Sequence, residues 1–333
     1  MNRLFKKTLS LMLVIVMTVS LGVSAAAADQ TGAAQAEGPL GIVSAMSVEL
    51  NALVEATKIS KTEEIAGNTF YEGVLNGVDV VLVKAGIGKV LAVASGKGGV
   101  GKSTVTANLA LTLRNMGYRV GILDADIYGP SQPKMFGVEG YLPDAERIDG
   151  EDCILPADAM GIKLMSIGFF IKPSDALIWR DAMATNALRQ MIHQTKWGTL
   201  DFLLADLPPG TGDVHLSIIG ELKIDSAVIV STPQQVAVAD VVRGVEMFRN
   251  ENVNIPVAGI VENMAWFTPA ELPENRYYLF GKGGARRFAE EHGVDFLGEI
   301  PIVQSIMEGA DEGRPAAGID PRVEKWYRGI AEK

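Results

Sequence analysis

The sequence predicts an α/β protein whose mostly parallel sheet carries helices on both faces, preceded by a small incomplete α/β fragment. Short β-branched runs alternate with helical patterns over most of the chain. A glycine-rich loop joins one predicted strand, Val90–Ala94, to a predicted helix, Val105–Met116. Aspartates follow other strands, and ligands bind beyond the carboxyl ends of the strands in such sheets.

Composition limits the classes of partner. The chain has 333 residues, of which 48% are hydrophobic and 21% are charged, so it can form one large or two smaller domains. A formal net charge of −10 argues against nucleic acid or an anionic membrane as the main partner. We therefore expect no nucleic-acid partner and no stable membrane association of the mature chain. The single cysteine, Cys153, excludes an intramolecular disulfide.

The first 28 residues have the pattern of a secretory signal segment. A basic head precedes an apolar run, Leu9–Val23, and the small residues Ser24–Ala28 provide a cleavage site. The run is short for a membrane span of about 20 residues. A retained anchor or an ordinary buried helix is the alternative. Residues 29–39 are small and polar, as in a linker.

Residues 40–88 form the predicted incomplete fragment. An apolar strand, Gly41–Met46, and a helix, Val48–Ala56, precede two alternating runs and a strand at Val78–Val83. The Asn76–Gly77 pair before that last strand is typical of a tight hairpin turn. We therefore expect a small sheet with one helix ahead of the main domain.

The same segment is similar to the start of the methylthioadenosine/S-adenosylhomocysteine nucleosidases. GIVSAMSVELNAL, EEIAGNTFYEGVLNG and VVLVKAGIGKV carry the resemblance, which spans Gly41–Val90. It implies Glu49 as a water-activating carboxylate; a solvated helix carboxylate is the alternative. Nothing after Val90 matches the family's ribose-binding segment or its late aspartate, and breaking a glycosidic bond needs an acid as well as a base. We expect a remnant without nucleosidase activity.

The predicted main domain, residues 89–333, contains a phosphate-binding motif. Gly96–Ser103 satisfies G-x-x-x-x-G-K-[ST] between a strand and a helix, which predicts a sheet of the P-loop NTPase kind. Glycines let backbone N–H groups surround a phosphate, and the following helix adds its positive dipole end. We expect the motif to bind ATP; a glycine-rich turn that binds nothing is the alternative. The predicted nucleotide contacts are Gly96, Lys97, Gly98, Gly99, Val100, Gly101, Lys102, Ser103 and Thr104.

Charged and hydroxyl side chains suit the chemistry of magnesium and phosphate. Lys102 would neutralise the β- and γ-phosphates, and the Ser103 hydroxyl would coordinate Mg²⁺. Asp206 ends the apolar strand of FLLADLPPGTGD and has the position of a Walker-B carboxylate for Mg²⁺. A helix cap is the alternative role for such an aspartate.

Six segments resemble the Mrp family of iron–sulfur cluster carrier ATPases, within the MinD/ParA-like class. They are VASGKGGVGKST, DADIYGPSQPKMFG, IWRDAMATNALRQ, LLADLPPGTGDVHL, STPQQVAVADVVRG and ENMAWF, and the match continues to the C-terminus. The resemblance implies a Mg²⁺-dependent ATPase that forms a homodimer. It also implies iron–sulfur scaffold or apo-client proteins as partners and a role in cluster assembly or delivery.

The resemblance assigns further roles. Lys97, directly after the first glycine, would reach the nucleotide of a dimer partner and act in catalysis with Lys102 and Asp126. Asp126 would polarise the attacking water, Asp124 would lie in the outer shell of Mg²⁺, and Asn263 would read the adenine edge. A solvated loop lysine, a capping pair of aspartates and a turn asparagine are the alternatives.

The resemblance is weak for the iron–sulfur chemistry of the family. Many family members carry CxxC after the ENM segment, whereas Phe267–Pro273 contains no cysteine here. Clusters commonly use four thiolates, and a dimer would supply two copies of Cys153. We expect no stable cluster through the chain's own cysteine. The alternatives are a MinD-like targeting ATPase without a cluster and, less well supported, a purine nucleosidase. The need for ATP favours the cytoplasm, although the signal-like segment predicts export.

Overall fold

The computed structural model describes residues 40–44, 47–65, 68–84, 86–148, 151–170 and 181–333. The predicted signal segment and linker, residues 1–39, lie outside the described residues. None of the helices within the described ranges is long and apolar enough to cross a bilayer.

An N-terminal sheet has the strand order β1-β4-β3-β2. Strands β1 and β4 are parallel, and the other two pairs are antiparallel. Asn76 and Gly77 adopt φ angles of 50° and 83°, which is the backbone expected of the predicted hairpin turn. Leu50, Val80 and Leu82 are buried as a small core. The elements are β1 (Leu40–Ser44), α1 (Ser47–Ala56), β2 (Lys58–Ile65), β3 (Asn68–Leu75) and β4 (Val78–Lys84).

Within the described residues, eight strands form the main sheet in the order β14-β13-β12-β5-β11-β6-β10-β9. Every neighbouring pair is parallel except β9 and β10, which confirms the predicted mostly parallel sheet. The strands are β5 (Ile87–Ala94), β6 (Val120–Asp124), β9 (Ala157–Ala159), β10 (Ile162–Ser166), β11 (Leu200–Asp206), β12 (Ser226–Ser231), β13 (Val257–Phe267) and β14 (Phe296–Ile302).

Strand β5 lies inside the sheet between β11 and β12. It begins at Ile87, earlier than the predicted start at Val90. The backbone N–H of Leu200 donates to the carbonyl of Gly86 at 3.2 Å, and Leu200 pairs with Ile87. Pairing with β11 therefore extends the strand through a polar, glycine-containing stretch that the hydrophobic pattern does not mark as a strand.

Helices pack against this sheet and against one another. Helix α2 contacts several strands as well as α9, whose Val323, Tyr327 and Ile330 are buried. A separate hairpin consists of β7 (Ala145–Ile148) and β8 (Glu151–Ile154). The remaining helices are α2 (Lys102–Asn115), α3 (Gln132–Met135), α4 (Asp181–Gln194), α5 (Asp213–Glu221), α6 (Gln235–Arg249), α7 (Gly284–His292), α8 (Gln304–Asp311) and α9 (Pro321–Ala331).

Parallel pairing brings three functional segments to one edge of the sheet. Asp206 at the end of β11 pairs with Asp124 at the end of β6 on one side. On its other side Asp206 pairs with Val93, one residue before β5 ends. The loop that follows β5 therefore begins beside two strand-terminal carboxylates.

Candidate nucleotide site

The glycine-rich loop connects β5 to α2, and its backbone needs glycine at defined positions. Gly99 and Gly101 have φ angles of 82° and 83°, in the left-handed region. A Cβ at Gly101 would overlap the Asn263 amide, and one at Gly96 would overlap the Asp240 carbonyl. The loop is therefore held between β13 and α6 at positions where only glycine fits.

A cavity of about 350 Å³ opens over this loop. No side chain in the described residues caps the N-terminus of α2, and its first turn holds no acidic residue. The first backbone N–H groups of a helix lack intrahelical partners, and the dipole there favours an anion. The cavity therefore suits a phosphate group. It is lined by Ser95, Lys97, Gly98, Gly99, Gly101, Lys102, Ser103, Thr104, Asp126, Tyr128, Gly129, Met135 and Pro209.

Lys102 is the buried cation of the site, with 6% of its surface exposed. Its Nζ lies 2.5 Å from Asp206 Oδ1 and 3.5 Å from Asp126 Oδ2, and it donates to Ser103 Oγ at 3.2 Å. Burial lowers the pKa of Lys102, but the Asp206 and Asp126 carboxylates outweigh that effect and raise it overall. The lysine is therefore charged and is held among the residues predicted to bind phosphate and magnesium.

Three buried carboxylates surround that one ammonium. Burial, together with the charge of Asp206, raises the pKa of Asp124 to about 8. Burial also raises the pKa of Asp126, against the opposing effect of Lys102. The cluster therefore holds more negative charge than its lysine can balance, so it favours an added proton or cation.

The donor set fits magnesium. Mg²⁺ prefers oxygen ligands, uses few protein carboxylates and completes its shell with water and substrate phosphates. Ser103 supplies a hydroxyl in the cavity lining, and Asp124 and Asp206 supply two fully buried carboxylates at paired strand ends. The excess negative charge favours a cation. Within the described residues no group of three or more His, Cys, Asp or Glu side chains is arranged to hold a metal by itself.

Asn263 lies at the site, where its side chain contacts the glycine-rich loop. Its Nδ2 donates to the carbonyl of Val100 at 2.9 Å, and the residue is 7% exposed. The side chain thus supports the phosphate loop from β13. A contact with adenine stays a prediction.

Lys97 is half-buried at the edge of the cavity. Its carbonyl accepts a hydrogen bond from Ser95 Oγ at 3.0 Å, which fixes its backbone. Its ammonium forms no ion pair within the described part of the chain. A contact between Lys97 and the nucleotide of a second protomer stays a prediction.

The sequence did not reveal the residues that orient the carboxylates. Gln132 Nε2 donates to Asp206 Oδ2 at 2.8 Å, and Ser166 Oγ donates to Asp124 Oδ2 at 2.8 Å. Thr106 Oγ1 lies 3.3 Å from Asp206 Oδ1. Gln132 lies inside a recognised motif and Thr106 closely follows one, but Ser166 carries no local signal because β10 brings it beside Asp124.

The structure places Cys153 away from the cavity lining. It is half-buried in β8, where it pairs with Glu146 of β7. The histidines have other contacts: His193 with Glu221, His215 with the Pro208 carbonyl, and His292 with the Phe288 carbonyl. Glu49 lies in α1, but its side chain is outside the described residues.

A glycine-rich loop between a parallel strand and a helix, with a buried lysine and strand-terminal aspartates, defines a P-loop nucleotide site. The fold and the site together define the class as the P-loop NTPases. More narrowly, residues 86–333 match the family described as ParA, the NUBPL iron-transfer P-loop NTPases. The chain belongs to this family, which confirms the resemblance inferred from its motifs.

Individual relatives agree with this assignment. The iron–sulfur cluster carrier protein of Aquifex aeolicus is 47% identical over 251 residues, which are 74% of this chain and 67% of that protein. A nucleotide-binding protein of Archaeoglobus fulgidus, solved with ADP, is 42% identical with a TM-score of 0.59, covering 68% of this chain and 87% of that one. The septum site-determining protein MinD of Pyrococcus horikoshii, solved with Mg-ADP, is 22% identical with a TM-score of 0.54, covering 73% and 94%. That last similarity shows the fold alone.

The N-terminal segment has a separate relationship. Residues 39–95 match the model of the phosphorylase superfamily. This match is coarser than the nucleosidase resemblance, and it covers the small sheet and β5.

Gly101→Ala is expected to weaken ADP binding at least tenfold, because the new Cβ would overlap the Asn263 amide at a left-handed backbone position. Titration of a fluorescent ADP analogue measures the effect. The matched control is Gly77→Ala, which has the same φ of 83° but no atom within 4 Å of its new Cβ. The control should bind like the wild type; equal loss in both variants would contradict the role given to Gly101.

Proposed function

We propose that this chain is a Mg²⁺-dependent ATPase that assembles or delivers iron–sulfur clusters. The observation that carries the ATPase part is the buried Lys102 ammonium, held between Asp206 and Asp126 at the cavity of the glycine-rich loop. The cluster part rests on the family and on the names of relatives such as the iron–sulfur cluster carrier protein of Aquifex aeolicus.

Nucleotide binding begins with the loop. The free N–H groups at the start of α2 and the Lys102 ammonium bind the β- and γ-phosphates. An incoming phosphate competes with Asp206 for Lys102, because the Lys102 ammonium and the Asp206 carboxylate lie 2.5 Å apart in the structure. Bound Mg²⁺ supplies the charge that balances Asp206 and the phosphates.

Asp126 is the group we assign to water activation. It lines the cavity, is 7% exposed, and its Oδ1 accepts the Tyr128 N–H at 3.3 Å. Burial raises its pKa, which makes it a stronger base than an exposed aspartate. Lys97 of a second protomer would stabilise charge on the transferred phosphoryl group, so the active form is a homodimer.

The iron–sulfur cluster is the cargo that the proposed carrier would deliver. The chain has one cysteine, which is too few for a four-thiolate site even in a dimer. Ligands from an iron–sulfur scaffold or an apo-client protein would complete the coordination.

We place the proposed ATPase in the cytoplasm, where ATP is available, although the signal-like N-terminal segment predicts export. Fractionation tests this placement: a processed chain starting near Asp29 outside the cell would contradict it.

A nucleotide-switched targeting ATPase is the second candidate, favoured by the shortage of cysteine ligands. A targeting protein of the MinD kind uses a C-terminal amphipathic helix at the membrane. Here Val323, Tyr327 and Ile330 of α9 are buried, Trp326 is half-buried, and the helix packs on α2. That observation favours the carrier over the targeting protein.

Two lysine variants test the ATPase. Lys102→Ala should abolish tight nucleotide binding, because it removes the fixed charge on the phosphates. Lys97→Ala should keep affinity within about twofold and slow hydrolysis by about 10²-fold, as loss of one transition-state donor does. Nucleotide titration and phosphate release measure the two effects. Equal loss of affinity in both variants would refute the role of Lys97 across the dimer.

A second prediction concerns the cargo. Anaerobic reconstitution of the purified chain with iron and sulfide should leave substoichiometric, easily chelated iron, because two copies of Cys153 are too few ligands. Cys153→Ser should not change the ATPase rate. A stable cluster with sulfur-to-iron charge-transfer absorbance that disappears in Cys153→Ser would contradict this prediction.

A further inference from the structure

Gln132 joins three parts of the nucleotide site. It is the first residue of α3 and is fully buried. Its Nε2 donates to Asp206 Oδ2 at 2.8 Å and to the Ser103 carbonyl at 3.0 Å. Its backbone N–H donates to Asp124 Oδ2 at 3.2 Å. One residue therefore contacts the ends of β11 and β6 and the first turn of α2.

The orientation of the Gln132 amide follows from its partners. A carboxylate and a carbonyl accept hydrogen bonds, so only the NH₂ group can face both Asp206 and Ser103. The opposite atom, Oε1, is buried and has no donor among the described residues. An unpaired buried acceptor destabilises a fold. The glutamine therefore bears this cost at Oε1 while its NH₂ group supplies donors to the Asp206 carboxylate and the Ser103 carbonyl.

The contacts of Gln132 fix two carboxylates. Asp206 has the Lys102 ammonium on Oδ1 and the Gln132 amide on Oδ2, so both of its oxygens are held. Asp124 Oδ2 accepts the backbone N–H of Gln132 as well as the Ser166 hydroxyl. Rotation of either carboxylate would break these bonds.

The same bonds close the loop that carries Asp126. Asp124 and Gln132 flank residues 125–131, and the bond between them joins the two ends of this segment. The loop that carries the water-activating group is therefore linked to the Asp206 carboxylate through one residue, whose backbone contacts Asp124 and whose side chain contacts Asp206.

We propose that Gln132 is a positioning residue for the magnesium shell: its amide orients the Asp206 carboxylate and holds the Ser103 backbone, so that the cation binds together with the nucleotide. The proposal rests on the proposed function in taking Asp206 and Ser103 as the magnesium-side groups. Partners of metal-binding groups that lie one layer out commonly change metal affinity 10- to 100-fold when they are removed. Gln132 contacts the Asp206 carboxylate and the Ser103 carbonyl, and it is not among the residues that line the cavity.

The test compares ADP binding with and without magnesium in Gln132→Met, which keeps the length of the side chain and removes its donors. We expect the Mg²⁺ concentration that gives half of the magnesium-dependent gain in ADP affinity to rise about tenfold. ADP affinity in EDTA should stay within about twofold of the wild type. The matched control is Gln304→Met: Gln304 also begins a helix and donates to a carboxylate, Glu308, but on the surface.

Each outcome decides the proposal. An unchanged magnesium requirement, or an equal loss of affinity in EDTA, would overturn it and make Gln132 a structural residue. If Gln132→Met does not fold, Gln132→Leu takes its place, and failure of both variants to fold also overturns the proposal. The comparison uses ADP and not turnover. A wild type that binds Mg-ADP but does not hydrolyse ATP would therefore defeat the proposed function and leave this test intact.

Discussion

The site depends on a balance of charge: one buried ammonium lies among three buried carboxylates. Lys102 contacts Asp206 directly and lies near Asp126, while Asp124 completes the negative cluster. In water such charges are screened, but burial makes each one costly without a partner. Burial of Asp124, together with the charge of Asp206, raises the pKa of Asp124, and the excess negative charge favours a cation beside the cavity. Under the proposed function, a phosphate bound to Lys102 would change this balance, which would couple nucleotide and magnesium through the same few atoms.

The fold supplies that cluster through parallel pairing. Strand β5 lies between β11 and β12, so the loop after β5 opens beside the end of β11. Register then sets Asp206 against Asp124, and β10 adds the Ser166 hydroxyl from the far side of β6. Close approach at Gly96 and Gly101 holds the loop against α6 and β13. A shift of one strand by one residue would separate these groups, since alternate residues face opposite sides of a sheet.

Local signals in the sequence predicted the parts of the site that lie within one motif. The phosphate loop, Asp124 and Asp206 each follow an apolar strand, and the structure gathers them at one edge. Contacts set by strand order were not predictable, because nothing near Asn263 in the chain indicates that its amide meets Val100, 163 residues away. The early start of β5 at Ile87 was missed for the same reason, since it follows from pairing with β11.

The most direct test of this account is the pH dependence of stability in the ligand-free protein, compared with Asp124→Asn. The folded protein raises the pKa of Asp124 from 3.8 to about 8, so between these values the native state holds a proton that the unfolded chain has lost. The stabilisation from that proton is complete below pH of about 4 and is lost as the pH rises through about 8. Urea unfolding at pH 6 and pH 8.5 should therefore show a larger fall in the free energy of unfolding for the wild type than for Asp124→Asn. The same fall in both proteins would contradict the claim that burial beside the Asp206 carboxylate keeps a proton on Asp124.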